Sequence, residues 1–568
     1  MSYKDKIWTK SWDSYVKDLD PKEFDMTYPQ AIRRTMEEFP DKMAFDYLGI
    51  TLTYKDLDEA SNQFANMLIE NGFKTGDVVG INLPNMPEYL MGIIGTLKAG
   101  CIVSGVSPLL SDIQMQYQLN DLGTGGNKVA LLTLDAIFAG RLTKIASKLP
   151  QLKLVITTSV GGYLPKIKQV LGKLIGKIPK GKVTPLEGVT IVDFHTDLIV
   201  TYSKELPKTT TKPDDLAFIQ YTGGTTGPPK GAMLTHKNIV SDIVIFQKWL
   251  NWEAGKGVAL SGFPFFHIAG TFTTLNVIYL GWSQILIPNP RDSGHIIKAM
   301  AKYEPSVLAN VPSLYQILMK NPKFKELDHS KLLYAVSAAA PFPEESQREF
   351  EAIVGKGKLI EAYGMTETSP LSASNPSVGV KKLGSIGLPL NNTEFKLVDP
   401  NTGKEVPIGE PGEICVKGPM VMKGYFNKPE ETKNAIDKDG FMHTGDVGVM
   451  DEDGYMKIVD RTKDMIIVGG FKVFSAKLED TLVKHPAIGM VATIGVDNPE
   501  RPGSEIVKAI IQLDADYKYD GNEEALKKDI TAFAKENCSP YEVPKLIEII
   551  EELPLTAVGK VDKKSLRK

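Results

Sequence analysis

The sequence predicts an α/β protein. The expected architecture is a large N-terminal part of two layered α/β subdomains plus a small β-barrel, followed by a smaller α+β C-terminal domain. Three features point there. Helical patterns alternate with short apolar runs up to about Ser385, the rhythm of parallel sheets covered by helices. From Ser385 short strand-like runs are separated by Gly, Pro, Asn and Asp turns, the spacing of an antiparallel unit. From about Asp460 the pattern is mixed again over roughly a hundred residues, enough for a separate small domain. The expected division is 1–460 and 461–568.

In order, Ala60–Glu70 reads as an amphipathic helix, Asp77–Leu83 as a buried strand, Tyr89–Ala99 as helix and Lys128–Leu132 as strand. The rhythm resumes after Leu216 with strands at Gly257–Phe263, Ser283–Ile287, Val307–Asn310 and Leu332–Ser337. Antiparallel strands are expected at Glu394–Val398, Gly412–Lys417 and Tyr455–Val459. In the last unit Met465–Val468, Val491–Val496 and Ile506–Gln512 read as strands, with helices near Ala476–Val483 and Glu523–Asn537.

Lys and Arg total 66 against 69 Asp and Glu, and 66 − 69 = −3, so no global basic field exists to hold nucleic acid by its phosphates. Cys101, Cys415 and Cys538 are odd in number and far apart, so no disulfide framework is indicated. With the opening MSYKDKIWTK, which has no apolar signal core, this predicts a cytoplasmic location. The longest apolar stretch, Tyr89–Leu110, contains Lys98, glycines and Pro108 and fits a buried βαβ segment better than a membrane span.

Leu164, Ile167, Leu171, Leu174, Ile175 and Ile178 recur at three- and four-residue steps and define one helical face. Lys166, Lys168, Lys173 and Lys177 take other positions, and Lys180 and Lys182 follow. Two readings stand. One is a surface helix whose apolar face packs on the body; the other is an interfacial helix over 164–182 at the inner face of the cell membrane. The first is expected, because most amphipathic helices serve folding.

The strongest chemical signal is Tyr221–Gly231, YTGGTTGPPKG, after the apolar run Leu216–Ile219. Gly223, Gly224 and Gly227 let backbone N–H groups approach phosphate oxygens. Thr222, Thr225 and Thr226 add hydroxyl donors, and Lys230 adds a cation. This is not a Walker-type P-loop. Pro229 precedes Lys230 where a glycine would stand, and Gly231 follows where Ser or Thr would hold magnesium. Consecutive threonines, two prolines and the lysine also disfavour a flexible linker.

This loop resembles the signature of the adenylate-forming superfamily, which holds acyl-CoA synthetases, luciferases and peptide-synthetase adenylation domains. Gly223 stands where the common form has Ser. The Gly-Gly form is similar to the bacterial and archaeal long-chain fatty acyl-CoA synthetase branch. The likeness extends over nearly the whole chain, with the motifs in the family's order.

By that resemblance, Pro264–His267 (PFFH) lines the acyl pocket and His267 joins the catalytic set. Ser337–Pro341 (SAAAP) is the small-residue turn beside adenine and acyl group, with Ala339 against the nucleotide. In Tyr363–Glu367 (YGMTE), Tyr363 stacks on adenine, Thr366 bonds the α-phosphate and Glu367 binds Mg2+, with Glu361 also among the nucleotide contacts. The residue types suit these tasks: aromatic face for a base, hydroxyl for phosphate, hard oxygen for magnesium. Thr444–Asp446 (TGD) implies Asp446 as acceptor for the ribose hydroxyls, with Arg461 as the second ribose contact. In Asp460–Phe471 (DRTKDMIIVGGF), Lys463 takes the hinge position and Gly469, Gly470 and Phe471 the coenzyme A side. Ile467 stands where many members carry a lysine. Pro554–Lys560 (PLTAVGK) ends in Lys560, the lysine that catalyses adenylation.

The resemblance therefore implies ATP-dependent activation of a carboxylic acid, with Mg2+ and coenzyme A, in two half-reactions between which a mobile C-terminal domain rotates. Lys560, Thr366, Glu367, Lys230 and His267 form the implied catalytic set. The apolar stretch Pro264–Pro312 suits an acyl channel. The likeness of Pro288–Asp292, Gly384–Pro389 and His443–Asp446 to long-chain bacterial enzymes favours a fatty acid, with medium-chain or aryl acids as the alternative. No acidic residue is placed to receive a substrate amine, which disfavours activation of an amino acid, and the chain ends soon after Lys560, so no carrier domain is expected. Transfer of the acyl group to a carrier protein instead of coenzyme A is the second enzyme reading. An inactive membrane-surface protein is a rival of another class, opposed by Glu367, Asp446, Arg461 and Lys560. A homodimer is left open.

Overall fold

The computed structural model describes residues 2–222, 228–469, 471–499, 501, 504–555 and 561–567. Of the predicted site residues, Gly223, Gly224, Thr225, Thr226, Gly227, Gly470 and Lys560 lie outside them.

Two large sheets form among the described residues. The first has eight strands around the parallel set Ile102–Gly105, Val78–Asn82, Val129–Leu134 and Leu152–Thr158. Leu216–Thr222 lies parallel to Ile102–Gly105, and Lys230–Thr235 returns antiparallel beside it. The second has nine strands, including the parallel neighbours Ser283–Leu286, Val258–Ser261, Val307–Asn310, Tyr334–Ser337 and Leu359–Gly364. These strands are buried at nearly every position, with no exposed face to impose an apolar–polar alternation, as in parallel sheets covered by helices on both sides. Helix Pro87–Lys98 is buried at every position, and its Leu90 and Ile94 share one core with Trp249 and Phe272. Thr235 caps helix His236–Trp249 by accepting the Asn238 N–H, so the strand after the predicted phosphate loop passes straight into a helix.

The unit read as a small barrel is a four-stranded antiparallel sheet, in the order Glu394–Val398, Gly412–Lys417, Met442–Met450 and Met456–Arg461. In the C-terminal part, Ile488–Asp497 pairs antiparallel with Glu505–Leu513, which lies parallel to Leu546–Ile550. Helices Ser475–Leu482 and Glu523–Asn537 bury Leu478, Leu482, Leu526 and Ile530 against this sheet. Asp460, near the end of its strand, accepts the Ser475 hydroxyl at 2.9 Å, and Lys472 reaches Asp399 at 2.9 Å.

One expectation is overturned. The amphipathic helix spans Lys166–Leu174, and its apolar face does not pack on the body: Ile167, Val170, Leu171, Leu174 and Ile175 are 54–75% exposed. The reason lies just past its end. Gly176 adopts a left-handed φ of 71°, the N–H groups of Lys177 and Ile178 return to the Gly172 carbonyl, and the Ile178 side chain folds under the helix. Ile178 lies against Gly161 and Gly172, 2.7 and 2.6 Å from where a Cβ would stand on each. The one buried aliphatic side chain therefore seats the helix, and the others face out. No helix among the described residues is long and apolar enough to cross a membrane.

Candidate active site

The parallel strands of the second sheet end together. Asn310 pairs with Ser337 and Ser337 with Glu361, so the residues beyond these positions gather at one edge, where open α/β sheets hold ligands. Asn310 Nδ2 and Ser337 Oγ are buried there with no hydrogen-bond partner among the described residues. An unpaired buried polar group costs about 1–3 kcal/mol, so two of them side by side at the strand ends call for a partner. Beyond Ser337 the chain turns through Ala339 at a φ of 68°, a strained left-handed conformation for a residue with a Cβ.

Glu361 is buried, and its Oε2 accepts the Gln347 amide at 2.6 Å. Gln347 also donates to the Phe342 carbonyl and accepts the Gly384 N–H. Burial pushes the Glu361 carboxyl up to about 8, against the Gln347 bond that lowers it.

Tyr363, Asp446 and Arg461 meet. Asp446 and Arg461 stand opposite each other across an antiparallel strand pair, with Arg461 Nε 2.9 Å from Asp446 Oδ1. Tyr363 donates its hydroxyl to Asp446 Oδ2 at 2.7 Å. Burial holds that phenol well above its ordinary range. The turn that presents Asp446 passes through Gly445 at a φ of 71°, which favours glycine. Glu413 braces this turn, accepting the Gly445 N–H at 3.0 Å and contacting His443 Nδ1 at 2.9 Å. Glu413, Cys415 and His443 bring a carboxylate, a thiol and an imidazole within 4.8 Å of one another. Both Glu413 oxygens are committed to the turn, and burial holds the Cys415 thiol above its ordinary range, so we read the trio as a brace.

Glu367 forms a second group. Its Oε1 accepts the Tyr425 hydroxyl at 2.7 Å, and Lys230 Nζ lies 4.9 Å from the centre of the Tyr425 ring. Backbone pairing makes this meeting: Gly424–Tyr425 adds to strand Lys230–Thr235, and the Met422 N–H bonds the Glu367 carbonyl. Burial raises the Glu367 carboxyl, opposed first by the Tyr425 hydrogen bond and then by the charges of Lys230 and Arg461. Arg461 thus acts on Glu367 as well as on Asp446, which makes the two groups electrostatic neighbours. Gly364 has a Pro370 carbonyl 1.8 Å from where a Cβ would stand, so only glycine fits the turn between Tyr363 and Glu367. Thr366 is half-buried at the start of the short helical turn Thr366–Thr368. Thr222 pairs across the hairpin with Lys230, at the mouth of the predicted phosphate loop.

The PFFH turn is tied to both sheets. Gln220, on the strand before the loop, donates to the Phe266 carbonyl at 2.6 Å, and Asn85 bridges Phe263 and Phe265. His267 caps helix Ile268–Tyr279, its Nδ1 accepting the Ala269 N–H at 3.3 Å.

The predicted coenzyme A residues fall in another group. Gly469 donates to Ser504 Oγ at 2.8 Å, and the exposed Phe471 ring stacks on Tyr541 at 4.8 Å. Burial, with Arg461 beside it, lowers the Lys463 ammonium to about 8. Sequence reasoning missed Gln347, Glu413 and Tyr425, whose partners are distant in the chain. The acid opening the strand Gly412–Lys417 was the one local sign.

Residues 32–426 match the family model described as "AMP-binding enzyme". The chain belongs to the AMP-binding enzyme family. Residues 477–560 match the companion "AMP-binding enzyme C-terminal domain". This AMP-binding enzyme is 35% identical to the long-chain-fatty-acid–CoA ligase of Escherichia coli O6:H1 over 99% of its own length and 98% of that protein. It is 37% identical to the long-chain-fatty-acid–CoA ligase of Bacillus subtilis over 93% of its length and 92% of that protein. Among solved structures, it resembles the anthranilate CoA ligase AuaEII in complex with anthranoyl-AMP, with a TM-score of 0.82 and 25% identity over 97% and 98% of the two chains. ATP-bound MatB from Rhodopseudomonas palustris gives a TM-score of 0.80 and 27% identity over 95% and 98%.

Proposed function

We propose that this AMP-binding enzyme is an AMP-forming long-chain fatty acid–CoA ligase working in the cytoplasm. It joins a fatty acid to ATP, releasing pyrophosphate, and then passes the acyl group to coenzyme A, releasing AMP. The observation that carries this is the convergence of Asp446, Arg461 and Tyr363 with Glu367 and Lys230 at the strand ends. The named activity of its full-length relatives supports the choice of acid.

In the first half-reaction the fatty acid carboxylate attacks the α-phosphorus, and the bond to pyrophosphate breaks. Asp446, held by Tyr363 and Arg461, accepts the ribose hydroxyls. Thr366 donates to the α-phosphate, while Lys230, Lys560 and the loop Thr222–Gly227 offset the charge developing on the phosphates. One such oriented contact contributes a few kcal/mol, about a hundredfold in rate. Glu367 fits magnesium: it is a buried hard-oxygen donor oriented by Tyr425, and the charge of Lys230 favours its ionised form. Bound Mg2+ would supply Lewis-acid neutralisation of the phosphates. The PFFH turn with His267, and the Ala339 turn, border the acyl group, and Glu361 stands behind the adenine.

In the second half-reaction the coenzyme A thiol attacks the adenylate carbonyl and AMP leaves. Gly469, Gly470 and Phe471 form the passage for its arm once the C-terminal domain (461–568), from Lys463 onward, has rotated about Lys463. The test is a panel of carboxylic acids of graded chain length with ATP, Mg2+ and coenzyme A, following pyrophosphate, AMP and acyl-CoA. Long-chain acids are expected to give the highest kcat/KM. Preference for aryl or medium-chain acids overturns the substrate, and acyl transfer only to a carrier protein overturns the acceptor.

A further inference from the structure

We infer that the helix Lys166–Leu174, with the basic segment that follows it, is a docking surface for an anionic lipid bilayer. The five aliphatic side chains Ile167, Val170, Leu171, Leu174 and Ile175 recur at helical spacing and are 54–75% exposed. This outward presentation is built into the fold. Ile178 is tucked between Gly161 and Gly172, Gln169 Nε2 donates to the Leu164 carbonyl at 2.8 Å, and Gly181 lies against the Asp135 backbone. The helix is thus pinned along its inner side, and no element among the described residues covers its outer ridge.

Charge selects the occupant. Between Ser159 and Leu186 the chain carries six lysines and no Asp or Glu. Lys166, Lys168, Lys177, Lys180 and Lys182 are exposed around the ridge. Aliphatic side chains with flanking ammonium groups match a leaflet whose acyl region lies beneath anionic headgroups. A second copy of this chain fits poorly: its ridge would face an equally basic one. The helix has nine residues, about 14 Å of length, which is short for the roughly 800 Å² per partner of a stable interface. The inference goes beyond the ligase reading and does not depend on which acid is activated.

The test is co-sedimentation of the full-length protein with phosphatidylcholine vesicles, with and without phosphatidylglycerol. The wild type is expected to sediment with the anionic vesicles and to be released by salt. Ile167→Glu with Leu174→Glu should lower partitioning by tenfold or more, and each of Lys166→Glu, Lys168→Glu and Lys177→Glu by roughly fivefold. All these positions are exposed, so the thermal midpoint and pyrophosphate release with a soluble acid in vesicle-free buffer should match the wild type. Equal sedimentation of wild type and the double variant, or a wild type that stays in the supernatant, overturns the proposal. A concentration-dependent dimer in sedimentation velocity that the double variant abolishes also overturns it, assigning the ridge to a second copy. Vesicle binding reads out even if no acid is activated, so failure of the ligase reading remains separate.

Discussion

Arg461 Nε lies 2.9 Å from Asp446 Oδ1 while Tyr363 donates to Asp446 Oδ2 at 2.7 Å, so side chains from two other strands engage both oxygens of one carboxylate. The group is fixed in direction before any ligand arrives. Asp446→Ala is expected to raise KM for ATP by roughly tenfold to a hundredfold, since a charged hydrogen bond contributes about 1.5–3 kcal/mol. The Arg461 side chain is 45% exposed and can rehydrate, but the buried Tyr363 hydroxyl loses its acceptor, so the thermal midpoint should also fall, by the equivalent of about 1–3 kcal/mol. An ATP titration of pyrophosphate release reads this, and an unchanged KM counts against Asp446 as the ribose acceptor.

Tyr425→Phe keeps the ring under Lys230 and removes the hydroxyl that bonds Glu367. The carboxylate then loses the contact that orients it. The Mg2+ concentration giving half-maximal pyrophosphate release should rise about fivefold to tenfold, the effect of losing one modest hydrogen bond. If the Mg2+ dependence of the variant overlays the wild type, Tyr425 has no part in presenting Glu367.

Glu361 gives a pH signature. Its folded value of about 8 lies above the ordinary 4.5, so the folded state holds a proton that the unfolded chain has released in between. Its contribution is complete below about pH 4.5 and is lost as pH rises through about 8. At about 1.4 kcal/mol per pKa unit, the loss amounts to several kcal/mol. Glu361→Gln keeps an acceptor for Gln347 and removes the titration. The variant should gain thermal stability relative to the wild type between pH 5 and 8, and parallel melting curves across that range would refute the assignment.

Lys463→Pro is expected to slow thioester formation from preformed acyl-adenylate by more than about tenfold, with adenylation much less affected, because proline fixes φ where the rotation must occur. Single-turnover measurements of each half-reaction separate the two. Equal loss in both would remove Lys463 as the hinge.

Much of the fold was legible because periodicity and punctuation agree. Strand Val307–Asn310 and helix Glu523–Asn537 have the bounds their patterns predict. Asp446 and Arg461 were legible as types, but their facing register is a property of the ladder. Tyr425 was not legible as a site residue, since it meets Glu367 only after Gly424–Tyr425 joins the strand that begins at Lys230. The exposed ridge at Ile167–Ile175 was misread for a physical reason. Seating and presenting an apolar face require the same 3.6-residue period, and a neighbour outside the helix, Ile178, decides between them.

The strand pairing that aligns Arg461 with Asp446 continues one residue further, where the Thr462 N–H bonds the Gly445 carbonyl at 2.9 Å. A swing of the C-terminal part that starts at Lys463 would therefore leave the ribose clamp stationary. On that reading the pivot would stand immediately beside the anchor. AMP could stay gripped while the catalytic face around it is exchanged, and the intermediate would not have to be released and caught again.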